Sequence, residues 1–190
     1  MNIIMISGKS MSGKDTFAKL LKEQYKEEAL IIHFADLVKY YATTYFNWNG
    51  EKDSDGRYLL QFIGTDLMRS RYPTYWAEIV GKFIDAITET YRYTTIIIPD
   101  WRFINEYDTI KEYGQICGNN VISVRVNRYI DDKPFINPNM SEHQLTHVSE
   151  CELDDFSFEW VIENRSTLEE LKESALVLYN ELSPKGDLYD

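Results

Sequence analysis

Two glycines and a lysine in Gly8-Lys9-Ser10-Met11-Ser12-Gly13-Lys14-Asp15-Thr16 have the spacing of a loop that cradles a polyphosphate. The glycines let the backbone wrap round an anion with successive N–H groups aimed inward. The start of the following helix adds partial positive charge. Lys14 would reach the β- and γ-phosphates as a point charge. Asp15 stands where a hydroxyl residue normally meets magnesium. A carboxylate can hold that ion too, directly or through water, and Thr16 offers a hydroxyl one residue later. The competing reading is a glycine turn that caps an ordinary helix.

Other residues suited to the same chemistry lie further along. Asp100-Trp101-Arg102-Phe103-Ile104-Asn105-Glu106 follows the β-rich run 94–98. An acidic residue closing a core strand suits a second magnesium contact, and Arg102 suits a bidentate grip on phosphate. Alternatively, Asp100 caps a helix and Arg102 pairs with Glu106. Asp36 could meet a sugar hydroxyl or the magnesium shell beside Lys39, or simply cap its helix. Gln61, Arg69 and Arg71 lie near one another, but the two arginines cannot share a helical face. One of them could bind an acceptor phosphate. Tyr72, Tyr75 and Trp76 could stack on a base or form core, with core the preferred reading for Trp76. Arg125 and Arg128 bracket the start of the polar stretch 127–147, which reads as a lid over the polyphosphate. His143, His147 and Cys151 are spaced by four, with Glu142 and Glu150 nearby, which suits lid surface and a helix cap better than a metal site.

The elements that must position these residues alternate. Residues 3–6 read as a strand and 17–25 as an amphipathic helix. Residues 30–34, 94–98, 121–126 and 160–162 read as further strands. Helices are expected over 36–45, around Leu59 to Leu67, from Pro73 through Ile87, over 105–113, and after a capping box at Ser166-Thr167-Leu168-Glu169. Residues 47–56 read as a polar surface connection. Such alternation predicts an α/β fold, with a mainly parallel five-stranded sheet, helices on both faces and a lid, in one domain over 1–190. Ligands in such folds sit at the carboxyl ends of the strands.

Composition bounds the function. With 31 acidic residues against 20 basic ones, the net charge is −11, which argues against a nucleic-acid or acidic-membrane surface. The two cysteines, Cys117 and Cys151, form no C-x-x-C motif. No apolar run nears the ~18 residues of a membrane span, and the first strand is too short for a signal peptide. A cytoplasmic monomer or homodimer is the expectation.

The loop with Gly13-Lys14-Asp15-Thr16, Phe34-Ala35-Asp36, Leu60-Gln61-x-x-Gly64-Thr65-Asp66, and Asp100-Trp101-Arg102-Phe103-x-Asn105-Glu106 resemble the deoxynucleoside monophosphate kinases of phages and their bacterial relatives. Ser149-Glu150 and Trp160-Val161-Ile162-x-Asn164 continue the resemblance. The Gly13-Lys14-Asp15 loop, Ser149-Glu150-Cys151-x-Leu153-Asp154 and Trp160-Val161-Ile162-Glu163-Asn164 carry a second resemblance, to animal-type phosphomevalonate kinase. The first implies a P-loop kinase fold, ATP with magnesium, and γ-phosphoryl transfer to a small phosphorylated acceptor. On this expectation residues 8–16 hold the nucleotide, and Lys14, Arg102, Arg125 and Arg128 neutralise charge. Asp15, Thr16 and Asp100 hold magnesium. Asp36, Lys39, Gln61, Arg69, Trp76, Arg102 and Glu106 face the acceptor, and Asn164 borders adenine. Transfer to a hydroxyl acceptor such as dephospho-coenzyme A, and a nucleotide-binding module without turnover, are the rivals.

Overall fold

In the computed structural model, which describes residues 1–91, 93–165 and 167–183, the chain is built on strand β1 (Asn2–Ser7). Its apolar residues Ile3, Ile4, Met5 and Ile6 are wholly buried. A strand buried on both faces belongs at the centre of a parallel sheet. β1 accordingly lies between β3 (Thr95–Trp101) and β4 (Asn120–Ile130), parallel to both. β2 (Ala29–Ile31) flanks β3 and β6 (Trp160–Asn164) flanks β4, also in parallel. The order is therefore β2-β3-β1-β4-β6. The register sets Ser7 level with Trp101 and Arg125, so the segments leaving these strands share one rim.

Alternate side chains of the strands feed two cores. Ile4, Ile6, Ile97 and Val124 pack under α1 (Lys14–Tyr25) and α8 (Leu168–Leu182). Ile3, Met5, Ile96 and Ile98 pack under α4 (Tyr75–Thr90) and α5 (Ile104–Ile116). A third cluster, with Val38, Ala42, Ile63 and Trp76, joins α2 (Ala35–Phe46) to α3 (Ser54–Gln61) and to α4.

The structure departs from the expected elements in places, each for a local reason. β2 keeps only Leu30 and Ile31 of the apolar run 30–34 and starts one residue earlier, at Ala29. α3 begins inside the stretch read as a surface connection, because Asp53 Oδ1 caps it by accepting the Gly56 N–H at 2.8 Å. The expected helix around Leu59 to Leu67 continues α3 as a π-helical segment, Phe62–Arg69. The stretch 127–147 is not irregular throughout. β4 runs on to Ile130, turns at Asp131 and Asp132 (φ 49° and 59°), and pairs antiparallel with the short β5 (Lys133–Pro134), a sixth strand. Two one-turn helices follow, α6 (Glu142–Leu145) and α7 (Val148–Cys151). Ser166 of the expected capping box, and the tail 184–190, lie outside the described residues; Thr167 Oγ1 accepts the Glu170 N–H at 3.3 Å. Among the described residues no helix is long and apolar enough to cross a membrane.

Candidate active site

The turn after β1 is shaped by close approaches that only glycine allows. A Cβ on Gly8 would lie 2.6 Å from the Val126 carbonyl oxygen. At Gly13 the backbone is left-handed (φ +96°), and a Cβ would lie 2.5 Å from Asn164 Nδ2. Residues from other elements hold every position between these glycines. Lys9 Nζ pairs with Asp154 at 2.6 Å. Asn137 donates to Ser10 Oγ at 3.0 Å, Arg128 to the Met11 carbonyl at 3.2 Å, and Asn164 to the Ser12 carbonyl at 2.9 Å. The rest of the chain thus braces the loop at each of these positions. Gly13→Ala should weaken nucleotide binding more than tenfold, since a β-carbon costs about 1–2 kcal/mol of left-handed strain and displaces the Asn164 brace. Titration with a nucleotide analogue checks this, with circular dichroism confirming that α1 persists.

Lys14 opens α1 at the floor of a cavity of about 840 Å³. That volume lies within the range of small-molecule sites. Its side chain is 8% exposed, and Nζ makes no hydrogen bond among the described residues. The one carboxylate within ion-pair range, Asp15, sits at the 4.0 Å limit. Burial, with the Arg102 charge adding to it, lowers the Lys14 pKa to about 8. A buried ammonium with no close anion is costly on its own, and an anion placed in the cavity would offset that cost.

The cavity extends from Ser10, Lys14 and Asp15 past Asp100 and Arg102 to Gln61, Thr65, Arg69 and Trp76. Met140, Gln144, Ser149 and Glu150 contribute further wall, and so do Lys52 and Arg57, which sequence reasoning passed over. Gln61, Thr65 and Arg69 recur every four residues across the junction of α3 with the π-helical segment and all reach this wall. Arg69 stacks over the Phe103 ring at 4.0 Å and forms an ion pair with Glu106. Glu106 is 1% exposed and also accepts the N–H groups of Arg102 and Phe103, at 2.8 and 3.0 Å. Burial pushes its carboxyl up to about 7, against the pull of Arg69. Arg71, by contrast, points to solvent.

Several candidates do something other than expected. Arg102 pairs with Glu150 rather than Glu106. Asp100 does cap a helix, but that helix is α2: its two oxygens accept the N–H groups of Phe34 and Ala35 at 3.0 and 2.9 Å. Each oxygen keeps a second acceptor site, and Asp100 still lines the cavity. Arg125 is a strand residue, buried beneath the loop and bonded to Ser7 Oγ and Asp154 at 3.1 Å each. Neither it nor Arg128, whose guanidinium lies over Phe135, lines the large cavity. Asp36 is outside that wall as well, paired with Lys39 at 3.0 Å, whereas Lys39 lies on it. Thr16 is exposed and off the wall. The Asn164 side chain braces the loop from behind. Trp76 is 1% exposed and donates to the Gly64 carbonyl at 2.9 Å, so it is core that also forms wall. His147 caps α7, with Nδ1 2.8 Å from Ser149 Oγ. No group of three or more His, Cys, Asp or Glu side chains among the described residues is arranged to hold a metal ion. Magnesium needs no such cage, because one or two carboxylates and the substrate phosphates suffice. Asp15 and Asp100, both on the wall near Lys14, fit that requirement.

A parallel sheet of this order, a glycine loop at its rim and a buried lysine with only Asp15 within ion-pair range, facing a large cavity, are the features of a P-loop fold. Solved structures share the fold. The tunicamycin resistance protein of Deinococcus radiodurans is 13% identical, with 96% of this chain and 95% of that one covered and a TM-score of 0.54. A variant of APS kinase from Mycobacterium tuberculosis is 10% identical, with 94% and 96% covered and a TM-score of 0.51. No curated protein matches the sequence. A family model does: residues 31–175 match deoxynucleotide monophosphate kinase, and the chain belongs to that family.

Proposed function

We propose that this protein transfers the γ-phosphoryl group of ATP, with magnesium, to a deoxynucleoside monophosphate. The observation that carries the reading is the buried Lys14 ammonium, without a close anion, at one end of a cavity whose other end holds Arg69, Gln61 and Trp76. Family membership supports the acceptor class. One anion would sit on the loop's N–H groups and Lys14, the other between Arg102 and Arg69. An acceptor phosphate is already anionic at neutral pH and needs no strong base. Its oxygen attacks the γ-phosphorus, the bond to the β–γ bridging oxygen breaks, and ADP leaves with that electron pair. The chain's task is to align two polyanions and neutralise their repulsion. Magnesium, held by Asp15 and Asp100, would supply further positive charge at the phosphates. The lid of this single domain would be 135–147, shorter than 127–147, because β4 and β5 belong to the sheet.

An ADP-release assay across deoxynucleoside monophosphates, phosphomevalonate and dephospho-coenzyme A tests the reading. Turnover with a deoxynucleoside monophosphate is expected; turnover with one of the others alone would overturn it.

The state of Lys14 makes a separate prediction. In the free protein it loses its proton above about pH 8. A bound polyphosphate favours the charged form and raises that value. Binding of an ATP analogue between about pH 8 and 10 should therefore take up a proton, by up to one per site near the middle of that window. Calorimetry in buffers of different ionisation enthalpy measures the uptake. Lys14→Met should abolish it.

A further inference from the structure

We infer that Glu150 is a positioning residue for phosphoryl transfer: one buried carboxylate bridges the donor loop and Arg102 and sets their separation. The inference rests on the kinase reading above and deepens it. Glu150 is 8% exposed and lies on the cavity wall. Its Oε2 accepts the Ser10 N–H at 3.0 Å, and its Oε1 forms an ion pair with Arg102 Nη1. The backbone repeats the pattern. The Glu150 carbonyl accepts Lys9 Nζ at 2.6 Å, and the Ser149 carbonyl accepts Arg102 Nη1 at 2.8 Å.

The segment carrying Glu150 is itself anchored. Glu152 Oε1 accepts the Ile104 N–H at 2.8 Å, just past Arg102. Asp154 joins Lys9 to Arg125, at 2.6 and 3.1 Å.

This arrangement suits in-line transfer. A guanidinium is a planar fork with five N–H donors. Securing Nη1 on Ser149 and Glu150 holds the plane, while Nε and Nη2 make no hydrogen bond among the described residues. That free edge is the one available for a phosphate. The same carboxylate ties this fork to the loop that holds the donor. Donor and acceptor cations then move as one body, and a misplacement of about 1 Å can cost about a hundredfold in rate.

The test compares wild type, Glu150→Gln, Arg102→Ala and the double variant. Each is first checked for its melting temperature and its affinity for a non-hydrolysable ATP analogue. Glutamine still accepts the Ser10 N–H but has no charge for Arg102. Glu150→Gln should keep analogue affinity within about threefold while kcat falls about tenfold or more, with a smaller change in acceptor KM. In the double variant the second substitution should add less than about twofold, because Glu150 acts through Arg102. Additive losses would overturn the inference. So would analogue binding that tightens about tenfold in Glu150→Gln, since the carboxylate would then be occupying a phosphate's place. If Glu150→Gln does not fold, Glu150→Asp replaces it: the shorter carboxylate keeps the charge but cannot span the Ser10 N–H and Arg102 together, and the same kcat-selective loss is expected, full activity overturning the inference. NMR of the ligand-free protein separates this inference from the kinase reading. The Ser10 amide and Arg102 guanidinium resonances should both shift in Glu150→Gln, and unshifted resonances sink the positioning role. A wild type that transfers to no deoxynucleoside monophosphate sinks the kinase reading alone.

Discussion

Lys14→Ala is expected to lower phosphoryl transfer by about three orders of magnitude or more while the protein stays folded. The size follows from where the charge sits. A cation placed at the transferring group in a water-poor site is worth about 10³–10⁵ in rate. Lys14 is buried, opens α1 and has only Asp15 within ion-pair range, at 4.0 Å. Nothing else in the loop can replace it, because Lys9 is committed to Asp154 and the Glu150 carbonyl. The same geometry predicts that stability will not fall. Removing an ammonium that lacks a close partner removes a desolvation cost, so the melting temperature should hold or rise. Coupled ADP release and a thermal melt measure the two effects. Activity within about tenfold of wild type would show that the phosphates lie elsewhere.

Glu106→Ala should be the most destabilising single change in the site, by about 3–5 kcal/mol, because it strands a buried guanidinium. The side chains of Glu106 and Arg69 are only 2% and 11% exposed. Among the described residues Arg69 would keep one hydrogen-bond acceptor, the Pro73 carbonyl at 3.3 Å, and its contact with the Phe103 ring. The N–H groups of Arg102 and Phe103 would lose their acceptor too. For a chain of this length the melting temperature should drop by about 10 °C. Glu106→Gln, which keeps acceptors for those donors, should lose about half as much. A drop below about 1 kcal/mol for Glu106→Ala would mean that water reaches Arg69 and screens it, as at a surface pair.

The reach of the sequence differs from one residue to the next. Gly8, Gly13 and Lys14 were legible because strand, glycine loop and helix are contiguous, and their spacing alone dictates the geometry. The parallel sheet was legible for a similar reason: Ile3 to Ile6 and Ile96 to Ile98 are continuous apolar runs, which suit strands covered on both faces. Arg102 and Arg69 were legible as cations but not their partners. Arg102 meets Glu150, 48 residues away, and Arg69 meets Glu106, 37 away. Helical spacing carries no information about such pairs. Arg125 and Arg128 were read as the root of a flap because polar residues and prolines follow. Arg125 already falls within the expected strand 121–126; extending β4 to Ile130 makes Arg128 a strand residue too, and both brace the loop from behind. Asn137 gave no signal in spacing, Asp154 entered only through a resemblance, and Glu150 entered through a resemblance and as a neighbour of the His143, His147 and Cys151 group.

What the sequence determined by itself is the local chemistry: a loop able to wrap a polyphosphate, the lysine that opens its helix, and the strands that carry both. Those follow from short-range sterics and from periodicity. What only the tertiary structure decided is which charges are spent on one another and which are left for a ligand. Glu150, Asp154 and Glu106 take up Arg102, Lys9 and Arg69 in part or whole, and Lys14 is left without a close anion. Charge pairing depends on distances of a few ångströms across the folded chain, and those exist only once the β-strands have brought their carboxyl ends to one rim.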